Sequence, residues 1–83
     1  MVINFETELL HDIGFDLYQL AELRAMHRRN ILNPVARKPF EIMIADVKDS
    51  LKRNRIKYLE NYGKNAEIVD IKRVFLTYRR NPE

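Results

Sequence analysis

Chemistry on a protein surface needs titratable or nucleophilic groups held close together, with tuned pKa values. This chain offers few such groups. Its two histidines, His11 and His27, lie sixteen residues apart, and the sequence predicts them on different helices. No His-x3-His, His-Glu-x-x-His or Asp-rich loop suggests a metal site, and no glycine-rich loop could cradle a phosphate. Ser50, the only serine, falls mid-helix without the strand–turn–helix setting of a nucleophile. Glu6, Glu8 and Asp12 share a predicted helix, where acids near the start form a solvated first turn. His11 beside Asp12 reads as a surface residue. His27 lies among Arg24, Arg28 and Arg29 and reads as a helix-face residue. The reading is a protein without catalysis, cofactor, metal or small-molecule substrate.

The chemistry that remains is charge. Five acids and no Lys or Arg occupy Met1 to Leu23, whereas fifteen bases and seven acids follow from Arg24 to Glu83. Lys48, Lys52 and Arg55 fall at i, i+4 and i+7 and so share one helical flank. Arg28, Arg29, Arg37 and Lys38 form a second basic group, and Arg79 and Arg80 a third. Arginines outnumber lysines nine to six, and guanidinium forks suit phosphate and carboxylate. The candidate binding face is therefore Arg28, Arg29, Lys48, Lys52 and Arg55. It would engage an acidic protein surface or nucleic acid, the latter through phosphate contact and counterion release. Tyr58 and Tyr62 could stack on bases if exposed, but their spacing places them on the core face.

The elements that must position these groups are helical. Eighty-three residues, 46% hydrophobic and 33% charged, with two glycines, three prolines and no cysteine, fit one small domain over 1–83. Disulfides are excluded. The start lacks a signal-peptide pattern and no long apolar run suits a membrane, so the expected compartment is the cytoplasm.

The first segment runs from Phe5 to Ile13, with Asn4 as N-cap and Phe5, Leu9 and Ile13 as an apolar stripe. Gly14 is read as a break, after which Asp16 caps a second helix over Leu17–Asn30 with Gln19 three residues on. One long helix tolerating Gly14 is the alternative. Asn33 to Lys38 reads as a connection, and Pro39 as the first position of a long helix ending at Tyr62, before Gly63. On that helix Phe40, Ile44, Val47, Leu51, Tyr58 and Tyr62 share a face. Ile42, Ala45 and Ile56 lie on roughly the opposite side and form a candidate protein interface. The last segment, Asn65–Arg80, reads as a helix with Asn65 as cap, and Ile68, Ile71, Phe75 and Tyr78 on one face. A strand over Val74–Tyr78 is the alternative. Asn81, Pro82 and Glu83 read as a frayed end.

The stretch Ile13-Gly14-Phe15-Asp16-Leu17-Tyr18-Gln19-Leu20-Ala21-Glu22-Leu23 resembles the Gly-Phe-Ser-Leu-x-Glu-Ile-x-Glu-Leu segment of MerR-type regulators. It covers eleven of 83 residues. It implies helix-start logic only, with Asp16 in place of a capping serine.

The expected fold is all-α: three to four helices around one core, with a long central helix at about 39–62. The expected function is that of a small regulatory protein of phage-type modulator style. It would act through protein–protein contact with a partner or as a homodimer, with direct DNA or RNA binding as the alternative.

Overall fold

A computed structural model describes residues 4–80, with side chains through Thr77. The expectations for Tyr78, Arg79 and Arg80 as side chains, and for Asn81–Glu83, lie outside the described residues. The described chain is all-α, with three helices: α1 (Phe5–Arg29), α2 (Pro34–Tyr62) and α3 (Ile68–Arg80). None of them is long and apolar enough to cross a membrane.

α1 starts where expected. Asn4 is extended, and its Oδ1 accepts from the Thr7 N–H at 2.7 Å, with Glu6 and Glu8 in the first turn. The helix does not break at Gly14, and the reason is tertiary. A Cβ built there would lie 3.0 Å from the Cβ of Phe75 and 3.2 Å from a methyl of Ile71. Gly14 is thus the point where α3 comes against α1, and the helical cost of glycine is offset by that close approach. Asp16 consequently does not cap a second helix; it is buried in the middle of α1.

The connection is shorter than the prolines suggest. Asn30 closes α1: its N–H reaches the carbonyls of Met26 and His27, and its side-chain amide donates to Met26 O at 2.8 Å. Asn33 then caps α2, accepting from the Ala36 N–H at 3.2 Å, and Pro34 takes the first helical position. Pro39 lies inside α2 instead of starting it. The carbonyl it cannot serve is that of Val35, an exposed residue at the helix's outer end. At the other end Gly63 adopts φ +69° and its N–H donates to Leu59 O at 2.8 Å, a glycine stop as the sequence indicates. α3 begins only at Ile68, so the expected cap Asn65 does not cap it; Glu67 directly precedes the helix, its carbonyl accepting from the Ile71 N–H, and residues 74–78 are helical, not extended.

α1 and α2 form an antiparallel hairpin, as the pairings Phe5–Tyr62, Glu6–Tyr58 and His27–Glu41 require. α1 lies against both other helices, while α2 and α3 are joined through it. The core is Leu9, Leu10, Ile13 and Leu20 from α1, Leu51 and Tyr58 from α2, and Ile71 from α3. Ile44, Val47 and Tyr62 pack against it from the expected stripe of α2. At the far end of the hairpin no third helix covers the pair, and Leu32 (95% exposed) and Val35 (84%) project there.

Candidate binding surface

Two polar contacts hold the hairpin in register. Asp16 Oδ2 accepts from Ser50 Oγ at 2.9 Å and from Asn54 Nδ2 at 3.1 Å. A single buried oxygen thus takes a donor from each of two successive turns of α2, which a shifted pairing of the helices would lose. Nearer the start of α1, the Tyr58 hydroxyl donates to Glu6 Oε2 at 2.7 Å. Burial, reinforced by that carboxylate, pushes the Tyr58 phenol up to about 12. Tyr62 is pushed up in the same direction, by desolvation and then by Glu6. Sequence reasoning missed the Asp16 node. Its trace was Asn54 interrupting the inward stripe of α2, together with the lone serine one turn before it.

The candidate basic residues divide into two groups. Lys48, Lys52 and Arg55 are exposed along one flank of α2, and none forms an ion pair with a described residue. They line a shallow groove of about 290 Å³, floored by Leu51, Ile56 and Leu59 and edged by Asn65. Arg28 and Arg29 are exposed at the end of α1, near the level of Phe40, about 12 Å along the hairpin axis from Lys48 at 1.5 Å per residue. Around them the charges are partly occupied. Arg37 Nη1 donates to Ile31 O at 2.9 Å, and Glu41 lies 3.9 Å from Arg37 and 3.8 Å from His27. Glu41 thus lies with Arg37 and His27 at the α1–α2 turn end of the hairpin, not on the ridge.

Arg53, off the ridge, is paired with Asp49 along α2. The other basic residue of the region, Lys57, faces a second groove of about 360 Å³ with Glu8, His11, Asp12 and Asn54. His11 sits 3.9 Å from Asp12 and its ring is 5.9 Å from that of Phe75. Among the described residues, no three His, Asp or Glu side chains gather to hold a metal ion.

Of the two tyrosines that could have stacked on bases, Tyr58 is buried and Tyr62 packs on it with ring centroids 4.8 Å apart. The candidate interface residues Ile42, Ala45 and Ile56 are all exposed. Ile56 joins the basic groove, whereas Ile42 belongs to an apolar surface with Pro34, Val35 and Pro39.

No known protein family, curated protein or solved structure matches this chain.

Proposed function

We propose that this protein is a small, non-enzymatic, cytoplasmic regulator that works by binding another protein through the outward side of α2. The observation that carries this reading is the composition of the Lys48–Lys52–Arg55 groove. Three cations without acidic partners surround an aliphatic floor of Leu51, Ile56 and Leu59. Such a surface suits a segment that brings carboxylates around an apolar anchor, because the apolar contact supplies affinity and the charges supply orientation and encounter rate. Arg28 and Arg29 form a second, separate basic contact at the end of α1.

Nucleic acid is the second reading, and the spacing of the three cations favours it. Phosphates could be neutralised at i, i+4 and i+7 without any base contact. The groove offers no aromatic ring for base stacking, which leaves that reading with charge alone.

Co-purification from nuclease-treated host extract separates the two. The protein reading requires that a defined partner be retained by the wild type, lost with Lys48→Glu/Arg55→Glu, and kept with Arg53→Gln on the paired side. A DNA or RNA mobility shift that appears at low salt, vanishes at high salt and is lost with the same double substitution would replace it.

A further inference from the structure

Beyond the groove, the outward face of α2 carries a regular stripe. Ile42, Ala45, Asp49, Lys52, Ile56 and Leu59 are spaced alternately by three and four residues, the spacing of a coiled-coil seam, and all six are exposed. They form a stripe about 26 Å long at 1.5 Å per residue, roughly opposite the stripe that packs on α1. A seam of this kind, left uncovered by α1 and α3, calls for another helix.

We infer that the occupant is a second copy of this chain, its α2 lying antiparallel across a two-fold axis between positions 49 and 52. This rests on the protein-contact reading above for its use of the outward side of α2, and it places a second copy, not a carboxylate-bearing segment, on the Ile56 and Leu59 surface. In that register Asp49 faces the partner's Lys52, Ala45 faces the partner's Ile56, and Ile42 faces the partner's Leu59. Each layer is complementary: opposite charges at the centre, a small residue against a large one beside it, and two large aliphatics outside. The symmetry doubles every layer, as an isologous interface must. A parallel pairing would instead set Asp49 against Asp49, Lys52 against Lys52 and Ala45 against Ala45, two repulsions and a void.

The helix ends agree with the antiparallel arrangement. α2 has no basic residue in its own last turn. The antiparallel register places Lys38 beside the partner's Gly63, where a cation complements the carbonyl end of the helix dipole. The edges of the seam differ from each other. On one side Asp46 approaches the partner's Arg53. On the other, Lys48 approaches the partner's Arg55, so the dimer gathers the cations of both copies into one strip.

Sedimentation equilibrium of the full chain across a dilution series tests this. The wild type should be a reversible dimer. Ile56→Asp should weaken association about tenfold or more. Asp49→Lys and Lys52→Asp should each weaken it similarly, and the double substitution should restore it, because the charge pair is only reversed. Helix content by circular dichroism should be unchanged throughout, since all three positions are exposed. A wild type that stays monomeric overturns the second copy as occupant, as does a dimer indifferent to Ile56→Asp. A double substitution no better than the single ones overturns the antiparallel register. A monomeric wild type that still retains a different protein in the co-purification rejects the dimer and leaves the protein-contact reading standing.

Discussion

The two faces of α2 carry similar numbers of aliphatic residues yet do different work. The inward face sends Leu51 and Tyr58 into the core beside Ile13 and Leu10, and it is pinned by Asn54 and Ser50 to Asp16. The outward face carries Ile42, Ala45, Ile56 and Leu59, none of them covered by α1 or α3, interspersed with cations that lack ion-pair partners. The contrast separates residues buried in this chain's core from residues that the described fold leaves exposed. Uncovered aliphatics at regular spacing contribute little to the monomer, and the proposed function takes the stripe of them beside unpaired charge as its contact surface.

Substitutions on the inward side should break the fold in graded steps. Ile13 is fully buried in the core to which all three helices contribute. Ile13→Ala should lower the stability measured by urea unfolding by about 2–5 kcal/mol. The next effect belongs to the polar node. Asp16→Ala leaves Ser50 and Asn54, both half-buried, without their shared acceptor. That should cost about 1–3 kcal/mol by the same measurement, and it should increase the spread of hairpin registers, seen as broadened amide resonances for α2.

Tyr58→Phe comes third, and its signature is a pH dependence. The native phenol is raised from 10.0 to about 12, so the folded state holds the proton more tightly than the unfolded one. The stabilisation linked to that shift is fully present below pH 10 and is lost as pH rises toward about 12. Wild-type stability should therefore fall steeply over that window, and Tyr58→Phe, lower at neutral pH, should fall less. Equal alkaline slopes for the two proteins would contradict the raised Tyr58 phenol, which burial causes first and the Glu6 contact reinforces.

Much of the inward face was legible in the sequence, because a 3.6-residue period declares a buried stripe wherever the chain is regular. Leu51, Tyr58, Ile44, Val47 and Tyr62 occupy the positions their spacing assigns. The places that misled are those where tertiary contact overrides local preference. Gly14 looks like a helix stop, but the chain places glycine there so that Phe75 and Ile71 of α3 can come close. Asp16 looks like a cap because acids and serines cap helices, whereas its donors lie 34 and 38 residues later in the chain and carry no local signal. Pro39 looks like a helix start, but Asn33 and Pro34 had already supplied one. The resemblance at 13–23 rested on the same capping logic and loses its basis with it. The candidate surface was partly legible. The ridge on α2 is local and periodic, while its separation from Arg28 and Arg29 depends on how the hairpin pairs.

The central claim is that the outward face of α2 is not part of the monomer's fold. Urea unfolding of Ile56→Asp beside the wild type, at a dilution where both are monomeric, tests it most directly. The account predicts that the two agree within about 0.5 kcal/mol, as an exposed position should. A loss of about 2 kcal/mol or more, the mark of a charge placed among buried aliphatics, would show that this face is internal and contradict the division drawn between the two sides of α2.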